Sequence, residues 1–345
     1  MNETMSSPEA RHDRTVLVLG ASGGVGGELA RQLRDAGWQV RALKRGLAAP
    51  SERADGLLWL RGDAMNEAEV RAAAQGCSVI VHAVNPPGYR RWSELVLPML
   101  ASTLAAAREQ RATVVLPGTV YNYGPDAGRA PAEDAPQRPL TRKGAIRVEL
   151  EQRLQQAAEA GEIRVLILRC GDFFGPRAAN NWFSQGLVQP GRPVTRIQQP
   201  GRAGVGHQWA YLPDVAQTVV RLLAQRERLD AFARFHFDGH WDADGGQMAA
   251  AIQRVVQQHG GRLPRVAGFP WWAVTLGAPL LPLFRELREM RYLWRRPLRL
   301  DGRRLQVQLA LAGGVAHTPL DEAVAATLAA LGCLPGAAAP GLLPS

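Results

Sequence analysis

The chain has almost no lysine. Of its 41 basic residues only Lys44 and Lys143 are lysines, although the formal net charge is +10. Such an excess of arginine, together with abundant alanine, indicates a genome-wide composition bias rather than a nucleic-acid surface. No basic stripe with interleaved aromatic residues matches a nucleic-acid motif. We therefore expect no nucleic-acid partner and assign part of the positive charge to binding an anionic cofactor or substrate.

Other scarcities exclude further classes of protein. The three cysteines, Cys77, Cys170 and Cys333, lack metal-ligand spacing, and their odd number argues against a disulfide framework, so we expect no metal site. No apolar run reaches the length of a membrane span. The first 14 residues are polar and lack the apolar stretch of a signal peptide. These features predict a cytoplasmic protein with disordered tails at 1–14 and 332–345.

What the chain does have is a glycine-rich turn between an apolar run and an amphipathic pattern. Gly20, Gly23 and Gly26 form G-x-x-G-x-x-G. The first suits a tight turn, the second a close approach to a pyrophosphate, and the third the packing of helix on strand. The amides that open the helix would face the phosphates. The predicted cofactor-binding residues of this turn are Gly20, Ser22, Gly23, Gly24, Val25 and Gly26. The alternative is a structural glycine turn in another α/β protein.

Short apolar strands alternate with helical segments along the first half of the chain. The predicted strands after the glycine turn cover 38–43, 57–60, 78–84, 113–116 and 164–168. This alternation predicts an α/β fold with a parallel, doubly wound sheet and a smaller C-terminal substrate lobe. We expect the dinucleotide-binding domain to span 15–175, with 211–238 packing back onto it, and the lobe to comprise 176–210 and 239–331.

The ends of the predicted strands carry the remaining candidate cofactor contacts. The second strand ends with cations and no carboxylate, which favours NADP over NAD because a cation accommodates the 2′-phosphate. The alternative is an exposed basic loop. Asp63 after the third strand either contacts the adenine edge or, more ordinarily, caps the following helix. Residues at the end of the fourth strand lie where ligands bind in such sheets. These candidates are Arg41, Lys44, Arg45, Asp63, Ala83 and Asn85.

Two later segments allow more than one interpretation. Aromatic and amide residues at 173–183 suit either a ligand-lined cleft or the anchoring of a loop. Residues 269–284 hold Trp271, Trp272 and several leucines, and arginines follow to position 299. This segment suits a lid on the substrate cleft, an oligomer contact such as a homodimer, or a membrane surface. We favour the lid, and a membrane partner is the less favoured alternative.

The order of motifs resembles the extended short-chain dehydrogenase/reductase superfamily, of the NAD-dependent epimerase/dehydratase type. The resemblance runs from Thr15 to about Leu331 and rests on the glycine turn, Asp63, 79–83, 119–124, 169–177 and 211–216. It implies a Rossmann fold, a nicotinamide cofactor and a C-terminal lobe that grips the substrate.

The chain departs from the resemblance at the pair that carries the chemistry. In that family a Ser or Thr acts with a Tyr-x-x-x-Lys pair on one helix face. Thr119 fits the first position. If Glu149 is the family's glutamate four residues after the lysine, Thr141 replaces the tyrosine and Ala145 the lysine. If Lys143 is the lysine, Pro139 replaces the tyrosine. Neither register contains a tyrosine.

Tyr121 is a candidate replacement for the missing tyrosine. It follows Thr119 by two residues, so in an extended segment both side chains point the same way. We hypothesise that Tyr121 supplies the proton, Thr119 orients the substrate and Lys143 binds the ribose or phosphates; the alternative is that Tyr121 packs under its loop. The sequence favours an NAD(P)-binding epimerase/dehydratase-like enzyme or oxidoreductase acting on a carbonyl or alcohol of a small molecule, such as a sugar derivative. The alternative is a catalytically inactive NADP(H)-binding sensor or scaffold.

Overall fold

The computed structural model describes residues 14–86, 91–178 and 181–336, and within these ranges the chain forms two compact units. The first unit holds the chain up to Gly118, Arg142–Arg169 and Ala216–Phe235. The second holds Thr119–Thr141, Cys170–Val215 and the chain from His236 onward. These units differ from the predicted domains at 119–141 and at 170–175, which belong to the second unit.

The first unit is built on an eight-stranded sheet of order β11-β7-β6-β5-β1-β2-β4-β3. Its strands are β1 (Thr15–Leu19), β2 (Gln39–Lys44), β3 (Ser51–Ala54), β4 (Leu57–Arg61), β5 (Val79–His82), β6 (Thr113–Thr119), β7 (Arg164–Cys170) and β11 (Phe232–His236). The pairs β1–β2, β1–β5, β2–β4 and β5–β6 are parallel, as expected of a doubly wound sheet. The sequence pattern missed β3, an exposed edge strand antiparallel to β4.

Helices pack on this sheet. They are α1 (Gly24–Asp35), α2 (Glu67–Ala74), α3 (Trp92–Gln110), α4 (Arg142–Glu159) and α5 (Leu212–Leu223), the last of which begins in the second unit. One buried cluster joins strand residues such as Leu17, Ile80 and Val114 to Leu100 of α3 and Leu154 of α4. All five side chains are fully buried. The apolar character of the three strand residues is typical of parallel strands that helices cover on both faces.

The second unit contains two small sheets and most of the C-terminal helices. One sheet has the order β12-β10-β8, and the other pairs β9 with β13 in parallel. The strands are β8 (Asp172–Phe174), β9 (Arg196–Gln199), β10 (His207–Tyr211), β12 (His240–Asp242) and β13 (Arg265–Gly268). The helices are α6 (Gln247–Gln258), α7 (Trp271–Gly277), α8 (Pro282–Met290), α9 (Arg303–Leu309) and α10 (Leu320–Ala330).

The core of the second unit extends past the predicted end of the ordered chain. Cys333 and Leu334 are buried in the cluster that also holds Ile252 and Leu328. The expectation of a disordered tail from residue 332 was therefore wrong for these positions, while 1–13 and 337–345 lie outside the described residues. Among the described helices, none combines the length and the apolar character needed to cross a membrane.

Candidate dinucleotide-binding site

The glycine turn after β1 is held by backbone contacts that leave no room for a side chain. Gly20 has φ +91°, and a Cβ there would lie 2.5 Å from the carbonyl oxygen of Ala83. A Cβ on Gly26 would lie 2.3 Å from the carbonyl oxygen of Gly20. The predicted role of Gly20 in a tight turn agrees with this geometry, and the turn sits directly against the end of β5.

The start of α1 presents unused backbone donors. Gly23 precedes the helix and makes no side-chain capping hydrogen bond. The first bond inside the helix runs from the Gly27 amide to the Gly23 carbonyl, 2.8 Å away, so the amides of Gly24, Val25 and Gly26 precede the helical ladder. Ser22 and Gly23 are exposed. The residues present therefore fit a pyrophosphate, because the amides that open the helix and the positive end of its dipole lie next to the exposed residues Ser22 and Gly23.

The cations at the end of β2 divide into two groups. Lys44 and Arg45 are exposed; the Lys44 Nζ lies 5.6 Å from the centroid of Trp59. Arg41 is engaged elsewhere: its Nη1 donates to the carbonyl oxygens of Ala73 and Gln75, at 3.1 and 2.6 Å. The Arg41 side chain thus reaches the C-terminus of α2, where its positive charge stabilises the last carbonyl groups of the helix.

Asp63 does not cap the helix that follows it. The N-cap of α2 is Asn66, whose side chain accepts a hydrogen bond from the Glu69 amide at 3.4 Å. Asp63 Oδ1 accepts from the Met65 amide at 3.0 Å, and its Oδ2 lies 3.9 Å from Arg45 Nη1. The capping interpretation of Asp63 was therefore wrong. The carboxylate shapes the turn before the helix, beside one of the two exposed cations.

Two buried cations lie on one face of α4. Lys143 is 3% exposed and Arg147 is 6% exposed. The Lys143 Nζ lies 5.8 Å and the Arg147 Cζ 5.1 Å from the ring centroid of Trp92. Arg147 Nη2 donates to Asn85 Oδ1 at 2.9 Å. The structure thus connects predicted site residue Asn85 to α4 through an arginine that the sequence analysis did not single out.

His82 lies in the core of the first unit. Its Nδ1 is 2.8 Å from Thr103 Oγ1, which in turn donates to the Met99 carbonyl. Burial, and secondly the charge of Arg147, lower the pKa of His82 to about 3. The imidazole is therefore neutral at ordinary pH and has a packing role, as the position on a buried strand suggests.

The burial of Glu151 on α4 allows a third register for the Tyr-x-x-x-Lys pair. Glu149 is half-exposed and pairs with Arg153. Glu151 is instead buried and holds the buried guanidinium of Arg169, with Nε–Oε1 at 3.0 Å. If Glu151 is the glutamate four residues after the second member of the pair, that member is Arg147 and the first is Lys143. This register, which follows from the second glutamate of the helix, stands beside the two that were considered from the sequence.

Thr119 and Tyr121 belong to the second unit, in a different local structure from the one expected. Residues Val120–Asn122 form a 3₁₀ turn, and Thr119 Oγ1 accepts from the Tyr121 amide at 3.4 Å. The expectation of an extended segment was wrong here, because the threonine hydroxyl starts a turn. Tyr121 packs against the cluster that contains Tyr123 and Leu293.

The aromatic residues at 173–183 mainly anchor their loop. Phe174 and Phe183 are fully buried and stack with centroids 5.7 Å apart. Asn181 Oδ1 accepts from the Ser184 amide at 2.8 Å. Residues 179 and 180, which include Asn180, lie outside the described residues. Of the two interpretations of this segment, anchoring agrees with these contacts.

Comparison with known proteins decides the family. The model of the NAD dependent epimerase/dehydratase family matches residues 16–235. The chain belongs to this family. No curated protein matches it significantly.

Solved structures share the family's fold at low sequence identity. The Bordetella bronchiseptica enzyme WbmH in complex with NAD⁺ is 17% identical, with a TM-score of 0.64 over 92% of this chain and 97% of that chain. The Thermus thermophilus UDP-glucose 4-epimerase with NAD is 19% identical, with a TM-score of 0.66 over 92% and 98%. MoeE5 in complex with UDP-glucose and NAD is 20% identical, with a TM-score of 0.67 over 92% and 98%. These similarities confirm the Rossmann-type α/β fold.

Proposed function

We propose that the protein is an NAD(P)-dependent oxidoreductase or epimerase that acts on a hydroxyl or carbonyl group of a sugar nucleotide. The observation that carries the proposal is the turn from Gly20 to Gly26, where backbone contacts forbid a side chain at Gly20 and at Gly26 and the helix that follows opens without a side-chain cap. Membership of the NAD dependent epimerase/dehydratase family supports it. The sugar-nucleotide class is suggested by MoeE5 and the epimerases, whose structures hold UDP-sugars or NAD.

The protein's part in cofactor binding follows from three groups. The amides of Gly24 and Val25 would hold the pyrophosphate, and Lys44 and Arg45 would meet the adenosine ribose. A bound nicotinamide supplies hydride transfer. Because two exposed cations and no strand-end carboxylate meet the ribose, we propose NADP as the preferred cofactor, although the neighbours hold NAD.

Titration of the four nicotinamide dinucleotides tests this preference. We expect tighter binding of NADPH than of NADH. Arg45→Glu should weaken NADPH binding by on the order of tenfold, the value of a charge-assisted phosphate contact, and leave NADH nearly unchanged. Arg53→Glu, on the exposed edge strand β3, is the matched charge control. Equal loss for both cofactors in Arg45→Glu would place the residue away from the 2′-phosphate.

The pair on α4 supplies the proposed chemistry of the chain itself. In the register set by Glu151, the Lys143 amine takes the position of the family's phenol, and the Arg147 guanidinium takes that of its lysine. We assign Lys143 to moving a proton at its Nζ and Arg147 to holding the cofactor ribose, with Trp92 and Asn85 fixing both side chains. This assignment replaces Tyr121 as the leading proton donor.

Single-turnover absorbance of the reduced nicotinamide tests whether Lys143 or Tyr121 moves the proton. The protein would be loaded with cofactor and challenged with UDP-sugars, with product isomers analysed in parallel because an epimerase need not accumulate reduced cofactor. Lys143→Met should slow turnover by roughly 10²–10⁴-fold, as expected for loss of a general acid or base, with cofactor affinity retained. Arg147→Met should mainly weaken cofactor binding. Tyr121→Phe should leave turnover unchanged, and slow turnover in this variant alone would restore the Tyr121 hypothesis.

A second candidate function is a cofactor-binding sensor. The specific observation in its favour is that the paired positions of α4 hold Lys143 and Arg147 rather than a phenol. Tight NADPH binding without turnover or isomerisation of any sugar nucleotide would favour the sensor. Binding of neither cofactor would contradict both functions.

A further inference from the structure

The helices α7 and α8 expose apolar side chains in an unusual arrangement. On α7, Trp271 and Val274 face the core of the second unit, while Trp272 is 71% exposed and Leu276 is 72% exposed. Leu280, in the connection to α8, is 85% exposed. Trp272 and Leu276 are four positions apart, which is the spacing of one helical face, and Leu280 follows just beyond the helix. Both faces of this segment are therefore apolar, whereas a surface helix usually presents polar residues to water.

The segment is firmly attached to the unit that carries it. The Trp271 ring packs with Trp182 at 5.8 Å between centroids, and its Nε1 donates to the Pro200 carbonyl at 2.8 Å. On α8, Phe284 and Leu287 pack against the same core. The exposed apolar residues are therefore presented by an anchored element rather than by a loose loop.

Exposed arginines follow the exposed apolar residues along the same segment of the chain. Arg285 and Arg288 are exposed on α8, and Arg295, Arg296 and Arg299 are exposed beyond it. The guanidinium of Arg291 lies 5.0 Å from the Trp271 ring centroid. Burial, and secondly the charges of Arg295 and Arg202, lower the pKa of Arg291. Glu286 and Glu289, the two acids of the stretch 271–299, are only half-exposed. Exposed apolar side chains and exposed arginines therefore occur together on the two contacting helices α7 and α8 and in the segment that follows them.

We propose that this surface, defined by Trp272, Leu276, Leu280, Arg285 and Arg288, docks the protein on an anionic lipid membrane. Tryptophan and leucine insert at the boundary between headgroups and acyl chains, and neighbouring arginines contact lipid phosphates. Charge complementarity selects this occupant over a second copy of the chain, because two copies meeting through the same face would oppose like charges. The surface lies within the second unit and does not depend on the proposed cofactor chemistry.

Flotation of the full chain with vesicles tests the proposal. We expect the protein to float with phosphatidylcholine vesicles that contain phosphatidylglycerol and to remain below with phosphatidylcholine alone. Leu276→Glu with Leu280→Glu should abolish flotation. Leu311→Glu, at a fully exposed leucine elsewhere in the second unit, is the matched control and should float like the unmodified chain.

The arginine contribution is measured separately. Arg285→Gln with Arg288→Gln should lower the partition coefficient on the order of thirtyfold, from roughly fivefold for each arginine near an anionic surface. Arg53→Gln, together with Arg61→Gln, is the control in the first unit, where both side chains are exposed. Circular dichroism and NADPH binding, unchanged in all variants, show that the fold and the cofactor site are intact.

Three outcomes would overturn the proposal. One is failure to float with anionic vesicles. Another is flotation that is equal with neutral vesicles and unaffected by the arginine changes. The third is a stable dimer in light scattering that Leu276→Glu dissociates while neither form floats, which would assign the surface to a second copy of the chain.

Discussion

At the scale of single residues, His82 links the stability of the first unit to pH. Its folded-state pKa of about 3 lies below the ordinary value of 6.5, because the buried ring is costly to charge. Below pH 6.5 the unfolded chain therefore binds a proton that the folded chain does not. The stabilisation is complete above pH 6.5 and is lost as the pH falls toward 3.

The predicted effect of His82 is measurable by denaturant unfolding. Between pH 7 and pH 5 the native chain should lose about 2 kcal/mol through this residue alone. His82→Gln should be less stable at pH 7, because Thr103 loses its ring partner, and should show a shallower pH dependence. His259→Gln, at an exposed position, serves as the control. An unchanged pH dependence in His82→Gln would contradict the assignment of a buried neutral imidazole.

The buried pair of Arg169 and Glu151 gives a second residue-scale prediction. Arg169 is fully buried and its Nη2 lies 2.5 Å from Glu151 Oε2. Arg169→Met should destabilise the fold by about 3–5 kcal/mol, because it leaves a buried carboxylate without this cation. Adding Glu151→Leu should recover much of the loss, since the apolar replacements then need no charge partner. Equilibrium unfolding of the single and double variants measures the coupling, and simple additivity would argue against a direct pair.

The residue scale also shows where sequence reasoning succeeds. Gly20 and Gly26 were predicted correctly as backbone-defined positions, because a glycine between a strand and a helix has few structural explanations. A register through Glu151 was not considered from the sequence, because nothing in the sequence favours Glu151 over Glu149. Only burial separates them, and burial depends on the partner Arg169, which is distant in the chain.

At the scale of elements, long periodic segments were predictable and short ones were not. The parallel strands β1, β2, β4 and β5 follow from apolar runs that alternate with helices. The exposed strand β3 carries no apolar pattern, so nothing in its sequence separates it from a loop. The 3₁₀ turn at Val120–Asn122 arises from a side-chain hydrogen bond of Thr119, a local competition that periodicity does not detect.

The junction of β1 and α1 allows stability and binding to be separated. Gly26→Ala places a methyl group 2.3 Å from the Gly20 carbonyl oxygen, so α1 must shift. The free energy of unfolding should fall by about 1–3 kcal/mol, and NADPH binding should weaken as well. Gly23→Ala meets only that oxygen at 3.3 Å, and the position is exposed. The stability of Gly23→Ala should fall by about 0.5–1 kcal/mol, because alanine is a poorer N-cap residue than glycine.

Cofactor titration of these two variants completes the prediction. Gly23→Ala should weaken NADPH binding at least about tenfold, because its methyl group occupies the space through which the pyrophosphate approaches the backbone. Chemical denaturation and binding are measured on the same preparations. Normal binding by a stable Gly23→Ala would show that the turn does not hold the pyrophosphate.

At the scale of the whole molecule, the chain passes between its two units five times, after residues 118, 141, 169, 215 and 235. Neither unit is therefore a contiguous segment. The family match ends at residue 235. The second unit's core, however, combines Phe174 and Trp209 from before that point with Ile252, Val255 and Leu328 from after it.

This interleaving predicts that a chain ending at residue 238 does not form a native molecule. Phe174 and Trp209 would lose their apolar partners, at a cost of roughly 1.5–3 kcal/mol for each large side chain left exposed. The truncated chain should bind a hydrophobic dye strongly and aggregate in size-exclusion chromatography, whereas a chain ending at Gly336 should behave like the full protein. A soluble, monomeric chain ending at 238 that binds NADPH normally would instead show that the first unit folds alone. The C-terminal third would then be needed only for the substrate.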